Sequence, residues 1–154
     1  LMRHNPYRGT IEFRNEPDAP ILEMGHQKDY KIVLDDGRTY KTVEYEQGRR
    51  IMLEYWSDES GNALYILQSV EFRPKEVASS SYGTDKPARF IRENDGIYYQ
   101  FKDQERLKAF PEKWKLAVKE FSDEYLKEFI KTNDIDLKTP EGAMKVLKEV
   151  ISRR

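Results

Sequence analysis

The stretch that decides the fold is Asp29 to Arg73, DYKIVLDDGRTYKTVEYEQGRRIMLEYWSDESGNALYILQSVEFR. Tyr30, Ile32 and Leu34 alternate with polar neighbours and run into Asp35-Asp36-Gly37. An Asp-Gly step between alternating runs predicts a hairpin, because both positions tolerate positive φ. Tyr40 to Tyr45 is the return strand, Gln47-Gly48 the next turn, Ile51 to Trp56 a third strand, and SDESGN (57–62) a turn-rich loop. Ala63 to Phe72 then reads as one long fourth strand, with Leu64, Ile66, Val70 and Phe72 sharing a face. Links this short force an antiparallel meander, since parallel neighbours need crossovers of about a dozen residues or more.

Outward from this core, Tyr7 to Arg14 alternates as a strand around Ile11 and Phe13, and NEPDAP (15–20) reads as loop. PKEVASSSYGTDKP (74–87) breaks the pattern and reads as a mobile loop, its serine run lacking the G-x-S-x-G context of a nucleophile. Ala88 to Glu93, Asn94-Asp95-Gly96 and Ile97 to Lys102 read as a further hairpin. From Asp103 the period changes from 2 to 3.6. Trp114, Val118, Phe121, Tyr125 and Phe129 form the stripe of one amphipathic helix, although Ser122-Asp123-Glu124 is also able to cap a second. Thr139-Pro140-Glu141 opens a last helix with a hydroxyl cap, proline at the first helical position and an acid in the first turn. Ala143, Val146, Leu147, Val150 and Ile151 are its buried stripe.

The expected class is therefore α+β. A single domain over 1–154 has an N-terminal antiparallel meander (7–102), curved or closing into a partial barrel, covered by C-terminal helices (104–154). Strands near 50–73 carry apolar residues on both faces, with Leu53, Tyr55, Leu64 and Ile66 on one and Met52, Trp56, Tyr65 and Leu67 on the other. A strand apolar on both sides is covered on both sides. Helices would cover one face and the curling sheet the other.

Composition narrows the function classes. Net charge is −1; residues 1–103 carry 15 basic and 18 acidic side chains, and residues 104–154 carry 12 and 10. A polyanion would have to be met by a local cluster. The absence of cysteine removes disulfides, thiol nucleophiles and thiolate zinc sites. No apolar run reaches the roughly 18 residues of a membrane span. Met2, read as the native start behind a foreign Leu1, implies a cytoplasmic protein; an exported domain with its signal removed would read the same way. The two histidines, His4 and His26, have no metal-ligand spacing, so no metal or cofactor is expected.

Two clusters stand out. Glu54 alternates with Met52 and Trp56, and the hairpin brings it near Tyr65, with Glu71 further along the same face. A carboxylate among aromatics would have a raised pKa and could act as an acid or base in a ligand pocket. The same hairpin sets Arg49 and Arg50 beside Arg73 and Lys75 at one end of the sheet, a polyanion-binding candidate near Tyr40 and Tyr45. The stripe around Trp114 is able to dock on a partner or a second copy of the chain. Three expectations follow. The first is a non-enzymatic domain working through protein contacts, as in a bacterial or phage accessory protein. The others are a nucleic-acid or polyanion binder, and a small-ligand barrel or enzyme with Glu54 in its pocket.

Overall fold

The computed structural model describes residues 1–78 and 82–154, so the serine run Ser79-Ser80-Ser81 lies outside the described residues. The N-terminus forms a small antiparallel sheet, β1 (Met2–Asn5), β2 (Thr10–Phe13) and β3 (Leu22–Met24), in that order. Sequence reading found only β2, because β1 and β3 have four and three residues and no alternating run of their own. The meander follows as expected: β4 (Lys31–Val33), β5 (Thr39–Tyr45), β6 (Gly48–Ser57) and β7 (Ala63–Leu67) pair in sequence order. Gly37 and Gly48, at φ +84° and +109°, make the two turns that only glycine adopts without strain.

The expected long fourth strand breaks at Gln68-Ser69. Its second half, β8 (Val70–Arg73), leaves the main sheet and pairs with β9 (Arg89–Arg92), while β10 (Gly96–Gln100) returns beside β7. The expected 88–102 hairpin is thereby corrected. β9 and β10 do not pair with each other; they are successive halves of one strand that runs antiparallel to β7 and β8. Alternation within both runs was legible, but the partner of each run was not. Glu76 and Lys86 extend this two-stranded arm by a further bridge, within what reads as pure loop in sequence. A two-residue strand, β11 (Lys108–Ala109), completes the six-stranded sheet β11-β10-β7-β6-β5-β4, which does not close into a barrel.

Three helices follow: α1 (Trp114–Phe121), α2 (Tyr125–Thr132) and α3 (Pro140–Ser152). The single helix expected over 114–129 is two. Ser122 takes a left-handed conformation at φ 53°, and Asp123 caps the second helix by accepting from the Tyr125 N–H at 3.0 Å. The break shifts the phase, so α2 buries Leu126 and Ile130 and leaves Tyr125 43% exposed. α3 begins as read, with Thr139 Oγ1 accepting from Gly142 N at 3.1 Å and Pro140 at its first position.

Cover for the main sheet is shared in a way composition does not announce. On one face Tyr99, Leu64, Phe121, Leu126, Val146 and Leu147 join the helices to β10 and β7. Further along that face Ile51 and Tyr40 pack instead against Ile11 of the N-terminal sheet. A bulge between Glu54 and Trp56 lets both Tyr55 and Trp56 join the helical cluster, against the opposite faces expected for neighbours in a strand. The other face is closed by Met52, Tyr65, Tyr45 and Leu107, where the sheet curls far enough for Leu107, next to β11, to bridge Tyr45 of β5 and donate its N–H to the Glu44 carbonyl at 2.8 Å.

Candidate functional site

Glu54 does meet Tyr65, directly across the β6–β7 ladder. The Tyr65 hydroxyl donates to Glu54 Oε2 at 3.5 Å, Ser57 Oγ to Oε1 at 3.3 Å, and the Lys41 ammonium pairs with the same carboxylate. Burial first, then the charge and hydrogen bond of Glu54, push the Tyr65 hydroxyl up to about 12. Lys41, Tyr65 and Ser57 thus satisfy Glu54 from within the protein, and it lines none of the cavities described below. Glu71 is not part of this group. It stands on β8, in the other sheet, where Arg73 Nε pairs with it at 3.2 Å.

The basic candidates are also dispersed. Arg49 pairs with Asp29 and, at 3.8 Å, with Glu44; Lys75 pairs with Asp85 at 3.1 Å. Pairing of Leu53 with Ile66 sets Arg50 level with Ser69, and Arg73 lies four residues further along an arm that has left the sheet. At about 3.3 Å per residue that is on the order of 13 Å. Of these four, Arg50 alone has no carboxylate within ion-pair distance among the described residues; its Nη1 donates to the Arg49 carbonyl at 2.8 Å.

A more spacious site lies elsewhere, an open groove of about 950 Å³ between the N-terminal sheet and the β8–β9 arm. Its floor is the polar face of the small sheet. Arg3, Glu12 and Glu23 lie side by side across β1, β2 and β3. Glu12 accepts from Arg3 Nε at 2.7 Å and from Asn5 Nδ2 at 2.6 Å, and Arg8 Nη1 donates to Glu23 at 2.6 Å. The Asn5 hydrogen bond, followed by that of Arg3, holds the Glu12 carboxyl below the usual carboxylate range. Both arginines reach into solvent, with side chains 63% and 60% exposed. Apolar walls rise on each side: Ile21 and Leu22 on one, and Val70, Phe90 and Tyr7 on the other. Tyr7 meets Phe90 edge-on at 5.1 Å between centroids, and Phe72 packs on Phe90 at 5.2 Å.

His4 ties the groove to the main sheet. It lines the groove and two smaller cavities, and stacks on Tyr40 at 4.7 Å. Its Nδ1 is 3.1 Å from Gln68 Oε1, which also accepts from the Tyr40 hydroxyl at 3.0 Å. An amide oxygen only accepts, so the network assigns the ring proton to Nδ1. Nε2 is then a buried acceptor with no protein partner among the described residues. Burial is the main cause lowering the His4 pKa; the Gln68 bond raises it and the Arg38 charge lowers it again. The unfolded chain therefore binds a proton near pH 6.5 that the fold resists, and stability is full above that pH and falls as pH drops below it. Urea midpoints between pH 7.5 and 5.5 should decline for the parent chain, while His4→Phe, which keeps a ring on Tyr40, should be flatter over the same range. Equal slopes would refute a role for His4.

Sequence reading missed this site. His4 has no metal-ligand spacing, Arg3 and Arg8 belong to no cluster in sequence, and nothing local announces that Phe90 meets Tyr7. Among the described residues no group of three or more His, Asp or Glu is placed to hold a metal ion, and no helix is long and apolar enough to cross a membrane. Comparison with protein-family models, with curated proteins and with solved structures gives no significant match.

Proposed function

We propose that this α+β chain is a non-enzymatic binding domain whose groove takes an extended segment of a partner protein carrying both acidic and apolar side chains. The observation that supports this most is the pairing of two chemistries in one groove. Phe90, Tyr7, Leu22 and Ile21 are all more than 40% exposed on its walls. Arg3 and Arg8 stand on its floor, each using one nitrogen on its own carboxylate and keeping other N–H groups free. Contiguous exposed apolar side chains mark interaction sites, and a guanidinium with spare donors suits a carboxylate. Being open along its length, the groove suits a chain segment better than an enclosed small molecule.

Panning a random peptide library on the chain should enrich sequences with Asp or Glu next to aromatic or aliphatic residues. The selected peptide should bind Phe90→Asp at least tenfold more weakly. Phe90 is 61% exposed, so this change should leave the denaturation midpoint close to that of the parent. Equal affinity of the two proteins, or enrichment of basic peptides, would overturn the reading.

A further inference from the structure

A second surface, independent of the groove, gathers charge that the protein does not neutralise. Trp114 opens α1 and is half-buried against the helical cluster. Three ammonium groups converge on its ring: Lys131 Nζ at 4.9 Å from the centroid, Lys127 at 5.4 Å and Lys115 at 5.7 Å. No two of them are then more than about 11 Å apart, close to the Debye length of about 10 Å at 0.1 M salt. The indole quadrupole attracts each cation but cancels no charge. Glu112, Asp123, Glu124, Glu128 and Asp134 lie within four residues of one or other of these lysines in the chain, and among the described residues none is within ion-pair distance of them, whereas Lys108, which reaches Glu120 of the same helix α1, is paired. All three Trp114 lysines are exposed.

We propose that this α1–α2 face binds the phosphate backbone of a single-stranded nucleic acid. Three like charges held together with no carboxylate partner among the described residues favour a multivalent anion, and phosphates spaced along one chain supply it. The residue choice separates this partner from others. A carboxylate-rich protein is best recognised by the planar fork of arginine, while lysine binds phosphate as a point charge, and the cluster is lysine throughout. An anionic membrane would need an apolar face to insert, and Ala117, Phe121, Leu126 and Ile130 of these helices are in the core, which leaves Leu116 and Tyr125 exposed rather than a continuous apolar face. With the whole chain at −1, binding rests on this local field.

The test is fluorescence anisotropy of fluorescein-labelled 20-nucleotide single-stranded DNA, and of the same RNA, between 50 and 200 mM salt. The parent should bind with affinity that falls as salt rises. The triple variant Lys115→Gln/Lys127→Gln/Lys131→Gln should lose at least tenfold at 50 mM, and its salt slope should be shallower by about 2, from roughly 0.7 per neutralised phosphate on a single strand. The stronger of the two strands identifies the sugar. The variant Arg49→Gln/Arg50→Gln/Arg73→Gln/Lys75→Gln should stay within twofold of the parent. No binding by the parent, a loss confined to the arginine variant, or binding to polyglutamate or to phosphatidylserine vesicles that equals binding to the oligonucleotide would each overturn the proposal. Circular dichroism of the triple variant, expected to match the parent, separates lost contacts from lost fold.

Discussion

Gly142→Ala is expected to destabilise the chain by about 3 kcal/mol or more, although alanine is the better helix former by roughly 1 kcal/mol. Gly142 is the third residue of α3, where the helix start passes directly over the 135–136 backbone. A Cβ built there would lie 1.9 Å from the Asp136 carbonyl oxygen and 2.8 Å from its carbon. Neither atom is free to retreat. The same oxygen accepts from Thr139 Oγ1 at 2.8 Å, and the Asp136 side chain accepts from the Lys138 N–H at 2.9 Å. Relief therefore requires α3 to lift, which uncovers Ala143 and Val146. Such overpacking costs about 1–3 kcal/mol where side chains yield, and backbone against backbone belongs at or beyond the upper end. Urea denaturation of the purified variant measures it; a midpoint equal to the parent's would show that the approach is not tight.

Leu147→Ala should cost about 2–5 kcal/mol, a large share of the roughly 5–15 kcal/mol that holds a domain of this size together. Leu147 is fully buried on α3, which lies against β7, and it shares a cluster with Leu64, Tyr99 and Leu126. Truncation removes its transfer free energy and leaves a cavity that neighbours on a sheet and two other helices cannot all close at once. The expected signature is a lower denaturant midpoint with an unchanged m-value. A change under about 1 kcal/mol would mean that the helices do not form a common core with the sheet.

The residues that were legible from sequence are those whose message is complete within a few neighbours. Asp36-Gly37 announced the β4–β5 turn because only a residue tolerant of positive φ fits there. Thr139-Pro140 announced α3 because a hydroxyl cap and a preset proline φ act on the next three residues. Alternation through Tyr40 to Tyr45 and Ile51 to Trp56 announced strands, and short links made them antiparallel. The break at Ser122 is half legible: Ser122-Asp123-Glu124 offers a second cap, but apolar spacing continues through it in favour of one helix, and the burial of Leu126 and Ile130 in place of Tyr125 reveals the new phase. The partner of β10 was hidden: Ala88 to Lys102 fits a hairpin locally, yet the free edge of β7 captures its second half.

For function the division is sharper. Composition and patterning established an α+β chain without thiol chemistry or metal-ligand spacing, and they located Glu54 beside Tyr65. Three-dimensional packing determined that Lys41 neutralises Glu54, that carboxylates disperse the arginine cluster, and that Arg3, Arg8, Tyr7 and Phe90 meet across a groove. It also gathered three lysines from two helices around Trp114. The reason is one of range. Turn angles, caps and alternation are settled by energies between residues a few positions apart, whereas the groove and the lysine cluster join segments whose meeting depends on which sheet edge stays free and which apolar face still needs cover.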